Sequence, residues 1–145
     1  MTTDDTQSVI PMTDDEAWAH LASLTLGRLA TSVDDRPDIF PVNYVIQRRT
    51  VLIRTAEGTK LASAAVNGHV AFEADDHDVA EGWSVVVKGY AHLLSTNDEL
   101  LAAERAQVLP WTATTKRRYI RITPVEITGR TFHFGTEIDY LSDPS

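Results

Sequence analysis

The chain has 145 residues, 43% of them hydrophobic, and a net charge of −8; this suits one compact domain and repels a phosphate backbone, which argues against nucleic acid as a partner. The sequence has no cysteine, which excludes disulfides, thiolate catalysis and cysteine metal sites and fits a reducing cytoplasm. No stretch approaches the ~20 apolar residues of a membrane-spanning helix. Residues 1–12 lack hydrophobic periodicity and read as a flexible tail, residues 13–140 as the domain, and 141–145 as a second tail.

Thr13 and Glu16 have the spacing of a capping box, with Asp14 and Asp15 in the first turn and Trp18, Leu21 and Leu24 forming an apolar stripe; a helix over 13–24 follows. Residues 27–33 and 39–47 are β-rich and flank the turn-like Asp34-Asp35-Arg36-Pro37, which predicts a hairpin. Gln47-Arg48-Arg49 then turns the chain into a third strand over 51–55, giving an antiparallel meander. Residues 58–67 carry Leu61, Ala62, Ala65 and Val66 at helical spacing and end at Asn67-Gly68.

Strands over 69–74 and 83–94, the second bending at Gly89, flank an acidic loop over 75–81. Asn97 or Ser95 caps a helix running to about Val108, which Pro110 stops. The last strand region, 119–134, is interrupted by Pro124 and Gly129. Without repeats or linkers, this order implies a mainly β (α+β) domain, an antiparallel barrel of about six strands with flanking helices.

The segment most suited to chemistry runs from Arg54-Thr55, at a strand end, through Gly58 to Thr59-Lys60 at a helix start. Free N–H groups of a first helical turn, its dipole, and nearby Arg, Lys and Thr donors together make a cradle for a phosphate. On spacing alone a second arrangement fits as well: Thr59 as a plain cap, with Arg54 paired to Glu57 on the surface. Pro41 marks an edge or bulge, because it lacks the donor a central strand needs. Asn43, between apolar Val42 and Tyr44-Val45, must satisfy its amide with a ligand or with backbone. The run Asp75-Asp76-His77-Asp78 lacks the glycine and distal glutamate of a calcium loop and reads as a solvated loop, so no metal is assigned. His20, His69, His92 and His133 have no serine or cysteine nucleophile at a recognisable spacing.

In chain order, Gly27-Arg28-Leu29-Ala30-Thr31, Pro41-Val42-Asn43-Tyr44, Arg54-Thr55-Ala56-Glu57-Gly58-Thr59-Lys60, residues 82–89 (GWSVVVKG) and residues 122–130 (ITPVEITGR) resemble the pyridoxamine 5′-phosphate oxidase-like, FMN-binding split barrels, in the branch related to nitroimidazole-resistance proteins. The resemblance spans about residues 13–134 and implies a six-stranded split β-barrel forming a homodimer, with FMN at the subunit interface. It implies that Arg54, Thr55, Thr59 and Lys60, with the adjoining Leu61, hold the phosphate end. Val42, Asn43 and Tyr44 would line the flavin ring, and Trp83, Ser84 and Arg130 would approach the cofactor, the first two from the partner subunit. Packing in the core or dimer is the alternative role for Trp83, and an exposed strand position the alternative for Arg130.

Enzymes that oxidise pyridoxamine phosphate carry a C-terminal tryptophan and an Arg-x-His-x-Arg segment, whereas residues 129–135 (GRTFHFG) offer one arginine. This argues against vitamin B6 synthesis. The resemblance implies an oxidoreductase acting on a small organic or nitroaromatic molecule. The alternatives are a reductase using the deazaflavin F420, whose longer tail would suit Lys116-Arg117-Arg118, and a flavin- or haem-binding protein without turnover. Flavins carry out the redox step at the ring, so no catalytic side chain is named.

Overall fold

The computed structural model describes residues 8–55, 61, 68–108 and 118–135. Seven strands and two helices are found among them: β1 (Val9–Pro11), α1 (Asp14–Ala22), β2 (Leu26–Val33), β3 (Arg36–Gln47), β4 (Thr50–Thr55), β5 (His69–His77), β6 (Glu81–Leu93), α2 (Asn97–Arg105) and β7 (Arg118–His133). The strands lie in the order β1-β7-β4-β3-β2-β5-β6, and a further pairing of β6 with β7 closes six of them into an antiparallel ring. This is the expected α+β split barrel.

The expected capping box is formed. Thr13 Oγ1 accepts from the Glu16 N–H at 3.2 Å and Glu16 Oε1 accepts from the Thr13 N–H at 2.9 Å. Ala17, Trp18 and Leu21 of α1 are buried and close one end of the barrel over Leu29, Val42, Tyr44, Val51, Ile53, Phe72 and Ile120. A smaller cluster of Leu52, Leu94, Ala103, Val108 and Tyr119 lies with α2. Leu52 alternates with core-facing Val51 and Ile53, so this second cluster covers the outer side of the β4 wall.

Several boundaries differ from expectation. The tail carries a strand: Val9, Ile10 and Pro11 pair with Phe132, Thr131 and Arg130. Arg36 and Pro37 belong to β3 rather than to the turn, which is the two-residue Asp34-Asp35 with φ of 50° and 61°. Arg48-Arg49 turns the same way, with φ of 52° and 53°, so both hairpins have the left-handed backbone that matches strand twist. β5 extends to His77 and β6 starts at Glu81, which shortens the acidic loop to three residues. Asp78 holds that loop by accepting from the Ala80 and Glu81 N–H groups at 2.7 and 2.8 Å.

Thr96, rather than Ser95 or Asn97, caps α2, because its capping-box partner Glu99 is three residues on. β7 runs through Pro124 and Gly129 without ending; the interruption is a register shift at Lys88/Gly89, where Gly89 faces Pro124 and Lys88 faces Glu126. The helix expected over 58–67 lies outside the described residues, apart from Leu61.

Candidate functional site

The ring opens between β3 and β4. β3 pairs with β2 through Leu26↔Asn43, then changes neighbour and pairs with β4 from Tyr44↔Ile53 to Gln47↔Thr50. The changeover is fixed by Tyr44, whose N–H donates to the Thr25 carbonyl at 2.9 Å. β4 continues past Ile53 with β7 beside it, Arg54 facing Tyr119 and Thr55 facing Arg118. Extending the β3–β4 register would set Asn43 opposite Arg54 and Val42 opposite Thr55, and there the two strands part. Pro41 lies in the stretch of β3 whose ladder partner is β2, so its missing N–H breaks no bond with β4.

These residues differ in what their side chains do. Val42 is buried in the barrel core, whereas Asn43, one position along, is half-buried on the outer face beside Leu26. Thr55 is buried on the same side of β4 as Val51 and Ile53. Arg54 lies on the other side, towards Val108: its Nη1 reaches the Val108 carbonyl at 3.4 Å, and its buried Nε has no hydrogen-bond partner among the described residues. A buried N–H left unpaired costs about 1–3 kcal/mol, and an anion beside this guanidinium would remove that cost. Leu61 is buried against the main core; Thr59, Lys60 and Glu57 lie outside the described residues.

Tyr44 is 1% exposed and turned into the barrel. Its hydroxyl donates to the Leu21 carbonyl at 2.6 Å, and its ring meets Phe72 edge-on at 4.7 Å. Burial, then the nearby Glu73 charge, holds the phenol above its ordinary range, so it stays a neutral donor. Only its backbone, or the barrel's packing, links it to the opening. Tyr44→Phe is expected to strand the Leu21 carbonyl and cost about 1–2 kcal/mol of stability without changing cofactor content; thermal unfolding and absorbance of the purified variant check this.

Ser84 and Arg130 form a second group on the outer face, whereas Trp83, one position along β6, turns the other way and packs against the main core. Ser84 pairs with Arg130 and Trp83 with Thr131. Arg130 is exposed, and Trp83 meets the His20 ring edge-on at 4.8 Å. Trp83 and His20 also line a cavity of about 220 Å³ with Asp76, His77, Asp78 and Glu81. Among the described residues, no three His, Asp or Glu side chains are arranged to hold a metal. Between Asn43 on β3 and Ser84 on β6 lie three strand spacings, roughly 14 Å along the wall. Within one chain the two groups therefore do not converge.

The sequence reading missed a polar cluster on the wall between the two groups. Arg28 Nη1 is 2.8 Å from Glu73 Oε1 and 3.3 Å from Asp75 Oδ2, and Ser84 Oγ donates to Glu73 Oε2 at 3.3 Å. Burial, reinforced by the hydrogen bond and charge of Asp75 and opposed by Arg28, pushes the Glu73 carboxyl up to about 7. The available signal was an acid between apolar Phe72 and Ala74, at an outward position in register with the one arginine of β2.

The barrel agrees with what comparison with known proteins finds. The profile of the pyridoxamine 5′-phosphate oxidase family matches residues 13–131. The chain belongs to this family. It is 54% identical to a structure described as the FAD binding protein from Mycobacterium smegmatis, over 87% of this chain and all of that one, with a TM-score of 0.80. It is also 62% identical over 95 residues, 66% of this chain and 86% of the other, to an uncharacterized protein of Mycobacterium tuberculosis. A heme binding protein from Mycobacterium smegmatis shares the fold at 17% identity and a TM-score of 0.66, over 77% of this chain and 51% of that one.

Proposed function

We propose that this member of the pyridoxamine 5′-phosphate oxidase family is a flavin-dependent oxidoreductase that works as a homodimer on a small organic or nitroaromatic substrate. The observation that carries the reading is Arg54, a half-buried cation whose Nε has no partner among the described residues, at the opening where β4 outruns β3. In this reading Arg54 and Thr55, with Thr59, Lys60 and Leu61 beyond them, hold the phosphate end of the cofactor. Asn43, with the Val42 and Tyr44 backbone, lies along its ring.

The wall distance between Asn43 and Ser84 supports a site completed by a second copy, whose Ser84 and Arg130 would reach the same ring, while Trp83 packs behind them against its own core. When bound, the isoalloxazine ring supplies the hydride or electron transfer, so the chain's own part is to bind, orient and tune it. The single arginine of residues 129–135 argues against pyridoxamine phosphate itself as the substrate.

The 54% identity to an FAD binding protein supports FAD as the flavin at least as well as FMN. Releasing the cofactor from purified protein by denaturation and identifying it by mass is expected to yield FAD or FMN. Release of F420, or a haem Soret band in the native protein, would overturn the flavin assignment. Bound flavin that neither a nicotinamide nor F420 reduces would leave a binding protein in place of an enzyme.

A further inference from the structure

Arg28 on β2, Glu73 on β5 and Ser84 on β6 form a chain of contacts across the outer wall. Glu73 divides its two oxygens between them: Oε1 faces the guanidinium at 2.8 Å and Oε2 accepts the Ser84 hydroxyl at 3.3 Å. A serine hydroxyl has one proton. While Glu73 is ionised, that proton points at Oε2, and Ser84 can present only a lone pair to anything else.

We propose that Glu73 is a positioning residue for the flavin site, and that protonation of its carboxyl weakens Oε2 as an acceptor and frees the Ser84 hydroxyl to donate to the flavin ring. The one covalent change is the O–H bond that forms on the Glu73 carboxyl as an O–H bond of a solvent hydronium breaks, and it reverses on deprotonation; no electron is transferred. The inference rests on the reading above that Ser84 faces the flavin.

The surroundings suit such a release. Arg28, from β2, favours the ionised carboxyl, whereas Asp75, from β5 itself, disfavours it. Among the described residues, Asp75 and Arg28 are the groups that shift Glu73; its charge in turn acts on Tyr44 of β3, which stays neutral, and Arg130 of β7 and Lys88 of β6 are exposed at neighbouring positions of the wall. Asp75 Oδ2, 3.3 Å from Arg28 Nη1, keeps the guanidinium paired once Glu73 is neutral, so protonation strands no cation. With burial outweighing Arg28, the changeover falls at about 7. The oxidised isoalloxazine ring presents mainly acceptor atoms, so a donating Ser84 and a neutral Glu73 both favour it. Flavin affinity therefore rises as pH falls through that value.

The test is calorimetric titration of the apo-dimer with FAD, and separately FMN, from about pH 6 to 8, where an unperturbed glutamate stays ionised. The wild type is expected to bind up to about tenfold more tightly at the acid end, the scale of one hydrogen bond. Glu73→Gln, neutral at every pH and able to donate to Ser84, should bind at the tight level throughout. Ser84→Ala should bind at the weak level throughout. A flat wild-type profile, or a Ser84→Ala profile as steep as the wild type, overturns the inference while leaving the flavin reading intact. Failure of both flavins to bind at any pH overturns that reading and the inference with it.

Discussion

Arg54→Ala lowers flavin affinity by about ten- to a hundredfold while leaving the fold as stable as before. The first half follows from charge-assisted hydrogen bonds to a phosphate, worth about 1.5–3 kcal/mol, with each 1.4 kcal/mol a factor of ten. The second half follows from what Arg54 lacks without a ligand. Its Nε is buried and unpartnered among the described residues, and its Nη1 reaches one carbonyl at the long distance of 3.4 Å. Truncation removes a desolvated charge together with some packing of the arginine stem against the Val108 side of the wall, and these oppose each other. Calorimetry with FAD, FMN and inorganic phosphate, beside thermal unfolding of the empty protein, reads both halves. Unchanged affinity would return Arg54 to the alternative of a surface ion pair.

What the linear sequence marks of the opening comes from local chemistry. The strand over 51–55, ending in Arg54-Thr55, and Pro41, which cannot serve two ladders, are visible in the linear sequence and both border the opening. The capping box at Thr13 was equally legible, since both partners lie within one helical turn. What escaped depends on partners distant in sequence. Val9–Pro11 is a strand because β7 offers it an edge, and its exposed residues carry no periodicity that could announce it.

The Arg48-Arg49 turn has no glycine or asparagine to mark left-handed backbone; the flanking Val51↔Ile46 and Thr50↔Gln47 pairs impose it. Glu73 gains its character from Arg28 and Asp75, the first of them 45 residues away. Tyr44 sits in a segment that resembles a cofactor-lining strand, yet strand alternation turns its side chain inward to Leu21 and Phe72.

The same distinction between local and distant causes governs the substitution expected to damage the fold most. Gly89→Ala should destabilise the protein by about 3 kcal/mol, at the upper end of overpacking effects, and lower its melting temperature by roughly 10 °C. A Cβ at Gly89 would stand 2.1 Å from the Thr123 carbonyl oxygen, 2.9 Å from its carbon and 3.0 Å from the Pro124 Cα. All three are backbone atoms of the facing strand, so no side-chain rotation relieves the clash.

Nor can β7 easily withdraw. Pro124 cannot donate to the ladder, and the register slips here by one residue, leaving Val125 as the extra residue, 71% exposed. Gly89 lets the strands stay close across that slip, and both neighbouring stretches of the β6–β7 seam, which closes the ring, depend on it. Gly135→Ala, where a Cβ would meet nothing within 4 Å, provides the matched control and should be close to neutral. Equal melting temperatures for the two variants would mean that the seam can re-register around Pro124; a large gap between them locates the ring's closure at this bulge.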